Sequence, residues 1–510
     1  MAGLVRLTRA LVSSRDFQRR TDIVVPGPEV FDLPEKAVQF GTGAFLRGFV
    51  DYFLDEANRK GLFGGRVVAV GSTDSGRAHM LDAQDGLFTL AVRGVDGGAP
   101  REELRVISSV SRALSARDDW AAVLAVARTA ELELIFSNTT EIGIAFDEAD
   151  RPTLVPPRSF PGKLTRFLHE RAHAFEFDPA RGVSVLPCEL IERNGARLRE
   201  SVLALARHWE LGERFIHWVE IAVPFHDTLV DRIVPGAPRG QRAEVQRRAL
   251  GYDDALLTVC EPYRLFAVES AWARAPLLRF AAADAGIVLT DDITSYRERK
   301  VRLLNGAHTI TAPVALLAGC DTVLEALHHE LVGGFLRRTL FEEIAPMVGA
   351  PDAMAFARDV LERFGNPFIH HALTGITLQQ TSKMRVRVVP SIVRYAEMMG
   401  RPPASLAFGF AAYLRFMRGD VHDRRRRSGL DAVADDHAAR LSILWQTADD
   451  SPRAIRALAN AACADVSLWG VDLTAIPGFA DMVAEQLHRI VRAGVLPALE
   501  AHLATAAALA

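Results

Sequence analysis

The sequence predicts an α/β protein in which a doubly wound, mainly parallel sheet occupies residues 1–286 and a mostly α-helical domain occupies residues 287–510. Three observations lead to this prediction. Short apolar strand patterns alternate with helix patterns in the first part of the chain. A glycine turn joins the first strand to the first helix, and beyond residue 292 helix patterns follow one another. The length of 510 residues also exceeds what one hydrophobic core usually serves, so two domains are expected.

The first unit consists of four predicted elements. Residues 36–40 read as a short buried strand, residues 41–43 as a tight turn, residues 44–60 as a helix and residues 66–70 as a second strand. This order is the βαβ unit with which a Rossmann-like dinucleotide-binding domain begins. Glycines in the turn let the backbone approach a pyrophosphate, whose charge the helix N-terminus favours.

The glycine motif is incomplete, because Leu46 stands where GxGxxG has its third glycine. Gly41 and Gly43 alone also fit an ordinary turn. Asp74 follows the second strand, where an acid binds the ribose hydroxyls and disfavours the extra phosphate of NADP. A simple turn residue is the alternative interpretation of Asp74. The predicted cofactor is NAD.

Further strands are predicted at residues 132–136, 183–187 and 218–223, with helices at residues 161–174 and 195–209. Ligands of such sheets bind at the carboxyl ends of the strands. Polar residues that follow the strands are therefore expected near one crevice: Asn138, Thr139, Glu141, Cys188, Glu189, His226, Asp227 and Asp231.

Three polar residues of different chemistry, Lys300, Asn305 and His308, interrupt an apolar helix pattern over residues 300–318. At 100° per residue they fall at about 0°, 140° and 80°, within one half of the helix circumference. Helical side chains lean toward the N-terminus, so the ends of Lys300 and His308 can converge. A solvated helix face is the alternative, but the apolar neighbours leave little room for one.

These three residues suit hydride transfer at a carbon that bears oxygen. That reaction needs a proton donor or acceptor for the oxygen and a dipole that stabilises its developing negative charge. Lys300 suits the first role and Asn305 the second, while His308 would orient either Lys300 or the substrate oxygen.

The spacing Lys300-x4-Asn305-x2-His308 resembles the signature of the polyol-specific long-chain dehydrogenases, the mannitol dehydrogenase family. The resemblance implies that Lys300 is the general acid/base. It continues through further segments of the chain: residues 39–47, 229–234, 363–367 and 469–478.

The glycine turn, the predicted crevice and this resemblance together give a set of expected NAD-binding residues. They are Phe40, Gly41, Gly43, Ala44, Phe45, Arg47, Asp74, Asn138, Thr139 and Glu141.

Two departures from the mannitol-type pattern favour a uronate-reducing branch of the family. Mannitol-like members carry Asp-Asn after the cysteine, whereas this chain has Glu189-Leu190. Leucine cannot donate a hydrogen bond to an oxyanion, so that role is vacant or moved to Asn194 or Asn138. Arg297 also replaces a glutamate of the mannitol-like members.

The resemblance to this branch implies a sugar-acid substrate and the interconversion of D-tagaturonate and D-altronate. Two alternatives remain within the family: mannonate with fructuronate, and a neutral polyol with its ketose. A third alternative belongs to another class, a regulator that binds a dinucleotide without turnover.

A substrate carboxylate requires a cation, and arginine is its usual partner. If the segment is extended, alternation places Lys383, Arg385 and Arg387 on one side. Arg232, beside Asp231, is another candidate for substrate binding. A charged surface ribbon is the alternative interpretation.

Other features argue against several classes of protein. The net charge of −3 with dispersed basic residues gives no sign of nucleic-acid binding. No apolar run reaches the roughly 18 residues of a membrane span. Four cysteines without CxxC spacing fit a reducing compartment, so a cytoplasmic location is expected. The histidines at residues 328–329 and 370–371 lack metal-ligand spacing, so no metal is expected.

Overall fold

The computed structural model describes residues 4–72, 76–139, 143–237, 240–270, 272–420, 434–446 and 448–507. The chain divides into two compact units, Met1–Ile293 and Thr294–Ala510. Asp74 and Glu141, two of the expected cofactor ligands, lie outside the described residues. No helix in the described ranges is long and apolar enough to cross a membrane.

The first unit contains a five-stranded parallel sheet. Its strands are β1 Glu35–Phe40, β2 Arg66–Gly71, β5 Val110–Ser115, β6 Leu134–Ser137 and β7 Ser184–Pro187. They lie in the order β5-β2-β1-β6-β7, and every neighbouring pair is parallel.

Two smaller sheets contain the other described strands of this unit. The first contains β3 Phe88–Asp96, β4 Ala99–Ile107 and β9 Thr258–Cys260, and the second contains β8 Thr228–Asp231, β10 Leu265–Glu269 and β11 Ile287–Thr290. Their orders are β4-β3-β9 and β11-β10-β8. The pairs β3–β4 and β8–β10 are antiparallel, whereas β10–β11 is parallel.

The helices of the first unit pack around these sheets. They are α1 Arg9–Val12, α2 Arg15–Gln18, α3 Ala44–Gly48, α4 Val50–Arg59, α5 Arg77–Asp82, α6 Trp120–Ala127, α7 Phe160–Ala174, α8 Asn194–His208, α9 Glu213–Ala222 and α10 Gln241–Leu250, with 3₁₀ turns at Pro28–Asp32, Pro179–Arg181 and Trp272–Ala283.

The side chains of β1 show that the parallel sheet is covered on both faces. Ala37 belongs to a core cluster with Phe53 of α4. The next residue, Val38, belongs to a second cluster with Leu164 and Phe167 of α7. Neighbouring strand residues point to opposite faces, so each face has its own hydrophobic core. The predicted doubly wound, mainly parallel sheet is confirmed.

One predicted strand is wrong. Residues 218–223 do not form a strand, because α9 extends through Glu213–Ala222. Phe215, Ile216 and Val219 are buried on one side of this helix. A short apolar run does not distinguish a buried strand from a buried helix, and here the helical spacing of the wider segment decides. The single helix predicted over residues 44–60 is also interrupted, at Phe49.

The second unit is mostly α-helical in its described residues, as predicted. Its helices are α11 Thr294–Arg299, α12 Ala307–Leu317, α13 Val323–His328, α14 Glu330–Arg338, α15 Ala353–Phe364, α16 Leu373–Ile376, α17 Gln380–Lys383, α18 Val389–Met399, α19 Ala404–Phe416, α20 Ala438–Gln446, α21 Pro452–Ala464, α22 Val466–Trp469, α23 Phe479–Ala493 and α24 Val495–Ala507, with 3₁₀ turns at Ala345–Met347 and Leu473–Ala475. Phe410 of α19 packs edge-on against Trp469 and Phe479 in its core.

Three segments among the described residues of this unit are π-helical: Lys300–Gly306, Thr339–Ile344 and Met384–Val388. A π-helix pairs residue i with i+5, which makes each turn wider than in an α-helix. π-helical turns are rare and often occur at functional sites. Two of the three contain residues that the sequence analysis assigns to catalysis or substrate binding.

Candidate functional site

The turn after β1 has a backbone that only glycine adopts easily. Gly41 has φ +142°, and its N–H donates to the carbonyl of Val70 on β2 at 2.9 Å. A Cβ at this position would lie 2.8 Å from Cδ1 of Leu46. A Cβ on Gly43, which precedes α3, would meet nothing within 4 Å. The turn is therefore closed around Gly41 and open above Gly43, where a ligand can approach the backbone.

The side chains of Arg47 and Phe40 pack beneath this turn and support it. Arg47 is buried and donates to the carbonyl of Thr42 at 2.5 Å and to Oγ1 of Thr258 on β9 at 3.2 Å. Burial lowers the pKa of Arg47 to about 10, so it stays charged at neutral pH. Phe40 packs against Phe160, with ring centroids 5.3 Å apart. These contacts give Phe40 and Arg47 structural roles beneath the turn.

The two remaining expected residues of the turn, Ala44 and Phe45, begin α3 and are half-buried. The ring of Phe45 stacks on that of Phe49 at 5.0 Å. It therefore anchors the start of the helix against the sheet-facing core.

A cavity of about 200 Å³ lies beside the turn, at the carboxyl ends of β2 and β5. A Cβ on Gly71, which lines it, would lie 3.7 Å from Cγ2 of Thr42 in the glycine turn. The lining residues are Gly71, Gly76, Ala78, His79, Ser115, Arg117 and Asp118. The sequence analysis missed the last three because it did not recognise β5, whose carboxyl end would have pointed to them.

The ends of β6 and β7 are tied together by Glu189. Its carboxylate accepts the backbone N–H and the hydroxyl of Thr139, at 2.9 and 3.1 Å, and the hydroxyl of Ser137 at 3.1 Å. Burial raises the pKa of Glu189. Asn138 donates to the carbonyl of Cys188 at 2.8 Å. Thr139, Asn138 and Glu189 therefore meet at one edge of the sheet, as expected from the strand pattern.

The proposed transfer of an oxyanion role to Asn194 does not fit its surroundings. Asn194 is fully buried, and its amide nitrogen donates to the carbonyls of Pro187 and Glu189 and to Oγ1 of Thr228. Leu190, by contrast, is 66% exposed. The side chain of Asn194 is thus committed to holding the chain around β7 and β8.

Asp231 and Arg232, expected at the substrate, lie inside the first unit. Both are buried. Arg232 donates to the carbonyls of Glu261 and Gly48 at 2.9 and 2.8 Å and lies over the ring of Tyr52 at 4.4 Å. These contacts disfavour a substrate-binding role for Arg232, because its guanidinium already links three parts of the fold.

Lys300 begins the first π-helical segment, and this corrects the geometry expected for the motif. The 100° spacing does not apply between Lys300 and Gly306, because this stretch is π-helical. Lys300 is only 8% exposed, and Asn305 is half-buried. The hydroxyl of Thr309 donates to the carbonyl of Asn305 at 2.7 Å. A lysine this buried is costly unless its surroundings compensate its charge or use it.

His308 lies three residues after Asn305, in α12, and its ring packs against two other rings. It stacks on Phe364 at 3.8 Å between centroids and 7° between planes, and His371 packs edge-on at 4.8 Å. Burial, then the charges of His371, Arg363 and Arg387, lower the pKa of His308 well below its usual value. Its Nε2 is covered and has no hydrogen-bond partner among the described residues. His308 is therefore a neutral imidazole with one unused nitrogen.

The Lys300 segment is held by a second π-helical segment. Arg302 donates to the carbonyl of Val386 at 2.5 Å, and its Nε donates to Glu298 at 2.9 Å. Arg387 in turn donates to the hydroxyl of Thr309 at 3.4 Å. The two wide turns thus fix each other beside the candidate catalytic residues.

The expectation that Lys383, Arg385 and Arg387 alternate along an extended strand is wrong. Lys383 ends α17, and the two arginines lie in the π-helical segment Met384–Val388. The Nζ of Lys383 donates to the carbonyl of Ile376 at 2.8 Å. Arg385 is exposed, and its guanidinium would lie 3.4 Å from a Cβ on Gly470. The segment that contains these cations is helical because the apolar Met384 and Val388, which are four residues apart, are buried on one side of it.

A parallel sheet with an open glycine turn, and a buried lysine followed by an amide and a neutral imidazole, are the features of an oxidoreductase of the dehydrogenase type. Comparison with known proteins identifies the family. The Rossmann-domain model of mannitol dehydrogenase matches residues 35–280, and the model of its C-terminal domain matches residues 292–491. The chain belongs to the mannitol dehydrogenase family.

Curated relatives are similar over nearly the whole chain. The altronate oxidoreductase of Yersinia pestis bv. Antiqua is 40% identical over 476 residues, which cover 92% of this chain and 97% of the relative. The altronate oxidoreductase of Bacillus subtilis is 41% identical over 469 residues, or 92% of this chain and 95% of the relative.

Two solved structures share the fold. Pseudomonas fluorescens mannitol 2-dehydrogenase, in a ternary complex with NAD and D-mannitol, has a TM-score of 0.70 at 23% identity, covering 98% of this chain and all (100%) of that chain. A D-sorbitol dehydrogenase in substrate-free form has a TM-score of 0.76 at 22% identity, covering 97% and 100%.

Proposed function

We propose that the protein is an NAD-dependent dehydrogenase that interconverts D-tagaturonate and D-altronate. The observation that carries this proposal is the similarity of 92% of the chain to altronate oxidoreductases at 40% identity. The motif of Lys300, Asn305 and His308 on one continuous helical stretch supports the same chemistry.

The first unit has the shape that a dinucleotide requires. The open space above Gly43 leaves room for a pyrophosphate, and Gly41 closes the turn without a side chain. The cavity at the ends of β2 and β5 lies where the adenosine half of a dinucleotide would extend. Bound NADH would supply the hydride that reduces the keto carbon.

The residues of the second unit would manage the proton and the charge on oxygen. In reduction, Lys300 Nζ gives a proton to the carbonyl oxygen as that carbon becomes a secondary alcohol, and in oxidation the neutral amine takes the proton back. Asn305 donates to the partial negative charge on the same oxygen. The neutral imidazole of His308, with its unused Nε2, would orient the substrate or Lys300 by a hydrogen bond.

The substrate carboxylate would bind the exposed guanidinium of Arg385. Lys383, two residues earlier, would join it only by releasing the carbonyl of Ile376. Arg385 forms no ion pair with any described residue, whereas Arg299 pairs with Asp352 and Arg302 with Glu298. An exposed, uncommitted arginine is the group best suited to a carboxylate.

Reduction assays with the purified protein test the proposed substrate. Loss of NADH absorbance is followed with tagaturonate, fructuronate and fructose in parallel, and again with NADPH. We expect turnover of tagaturonate with NADH. Turnover of fructuronate alone or fructose alone would assign the chain to the corresponding alternative within the family. Tight NADH binding without turnover of any of the three would favour the regulator.

Arg385→Ala is expected to raise KM for tagaturonate about tenfold and to leave KM for NADH unchanged. The factor corresponds to one charge-assisted hydrogen bond at a partly solvated site. Arg394→Ala removes an exposed arginine of α18 and serves as the matched control. Equal KM values for tagaturonate in the Arg385 and Arg394 variants would remove Arg385 from the carboxylate site.

Gly41→Ala is expected to weaken NADH binding and to destabilise the first unit by about 1 to 3 kcal/mol. The new methyl group would lie 2.8 Å from Leu46, and φ +142° is strained for alanine. NADH fluorescence titration and thermal unfolding measure the two effects. Gly61→Ala is the control, since Gly61 also has a positive φ but a Cβ there meets nothing within 4 Å. We expect the control to lose stability and to keep its affinity for NADH.

A cytoplasmic location is part of the same proposal. The four cysteines are all free and buried, which fits a reducing compartment. Recovery of the enzyme activity in the membrane or secreted fraction of the producing cells would contradict it.

A further inference from the structure

Helix α7 of the first unit contains a histidine pair that the sequence analysis overlooked. His169-Glu170-Arg171-Ala172-His173 has the HExxH spacing, in which two histidines four residues apart share one helix face. The two Nε2 atoms lie 3.1 Å apart, and the ring centroids are 4.4 Å apart. The sequence analysis considered only the histidine groups of the second unit, which lack this spacing.

We propose that His169 and His173 chelate one divalent transition-metal ion, such as Zn²⁺, through their Nε2 atoms. Metal–nitrogen bonds of about 2.0–2.1 Å at a tetrahedral angle place two ligand nitrogens roughly 3.3 Å apart. The observed separation therefore needs only a small adjustment. Phe215 and Phe177 hold the rings in place, at 5.0 Å from His169 and 4.9 Å from His173 between centroids.

The position of the pair on α7 favours binding of an ion at its exposed end. His173 lies in the last turn of α7, where the helix dipole favours positive charge. His173 is exposed, which gives the ion a path from solvent.

The site is suited to binding and not to catalysis. Among the described residues no third His, Cys, Asp or Glu completes a metal-binding group, so water would fill the other positions. Glu170, which lies between the histidines in sequence, is paired with Arg128 at 2.7 Å and faces Arg166 at 3.8 Å. Its carboxylate is therefore not free to act as a general base on metal-bound water.

The position of Arg166 in this structure disfavours metal binding. Its Nη1 lies 3.1 Å from Nδ1 of His169 and donates to it, which places the imidazole proton on Nε2. Metal binding requires that proton on Nδ1. Arg166 must therefore turn away, toward Glu170, when the ion binds.

Isothermal titration of the metal-free full-length protein with Zn²⁺ tests the proposal. We expect one ion per chain, and His173→Ala should weaken binding at least about tenfold, because even the loss of a group that only supports a ligand costs that much. Arg166→Gln should bind Zn²⁺ more tightly than the native protein. His217→Ala, which removes an exposed histidine of α9 without a histidine one turn away, is the matched control and should bind as the native protein does.

Equal affinity for Zn²⁺ in the native protein and in His173→Ala would overturn the proposal, as would the absence of binding to the native protein. His173 is the first choice for substitution because it is exposed, and circular dichroism checks that its variant is folded. The readout is the heat of metal binding, so the outcome is independent of the proposed dehydrogenase activity.

Discussion

Lys300→Ala is expected to lower kcat for tagaturonate reduction by at least about a hundredfold, as the loss of a general acid does. The affinity for NADH should change little, because the expected dinucleotide site lies in the first unit. Steady-state kinetics with NADH and tagaturonate measure the effect. The residual activity should also lose the part of its pH dependence that reflects protonation of the lysine.

Lys60→Ala is the matched control for this variant. Lys60 is exposed, in the first unit, and its amine is bound to Glu56 and to the carbonyl of Ala283. We expect its kcat to equal that of the native protein. A folded Lys300→Ala protein with near-native kcat would exclude Lys300 as the general acid/base.

Asp51→Asn is expected to stabilise the protein at about pH 8 by as much as about 4 kcal/mol, and to have little effect near pH 4. Asp51 is fully buried in α4, and burial raises its pKa to about 7. Between the unfolded pKa of 3.8 and this value the folded state holds a proton that the unfolded state releases. Stability therefore falls as pH rises from about 4 to about 7, and asparagine removes this loss.

The hydrogen bonds of Asp51 also indicate that Asp51→Asn stabilises the protein at pH 8. Gln39 Nε2 donates to Oδ2 of Asp51 at 3.3 Å, while Oδ1 of Asp51 and Oε1 of Gln39 have no partner among the described residues. Two buried oxygen atoms that lack a donor favour a protonated carboxyl group at position 51, or the amide N–H of an asparagine there.

Thermal unfolding of the variant at several pH values measures the effect, with Asp55→Asn as the matched control. Asp55 is equally buried, but it pairs with Arg59 at 2.7 Å and accepts from Ser108 at 2.9 Å. That substitution should destabilise the protein near neutral pH, because it removes the charge of a buried carboxylate to which Arg59 and Ser108 donate. A loss of stability in Asp51→Asn at pH 8 would contradict this prediction. It would mean that Asp51 is ionised in the folded state and that its charge stabilises the fold.

A helix or strand is predictable from the sequence where its hydrophobic pattern and its boundary residues indicate the same structure. The first βαβ unit is such a case, because its apolar strands, glycine turn and helix all point to one structure. The longer helices of the second unit are predictable for the same reason, since their apolar residues recur with helical spacing. The assignment of residues 218–223 to a strand failed because a short apolar run is ambiguous without its neighbours.

Other features depend on long-range packing. The hairpin of β3 and β4 turns at Gly97 and Gly98, a two-residue glycine turn that the sequence does display and that was overlooked. The π-helical pitch at Lys300 and at Arg385 has no such local pattern. It depends on contacts such as that of Arg302 with the carbonyl of Val386, between residues 84 apart in the chain. The general positions of the candidate residues were therefore predictable, but the directions of their side chains were not.

Each of the two compact units is a single uninterrupted stretch of the chain. During synthesis the first unit leaves the ribosome complete while the second still takes roughly 10 to 40 s to translate. Because the parallel sheet needs no strand from the later residues, it can fold in that interval. A nascent chain stalled before Thr294 would therefore already contain the glycine turn that is expected to bind NADH, but not the lysine that is expected to use it.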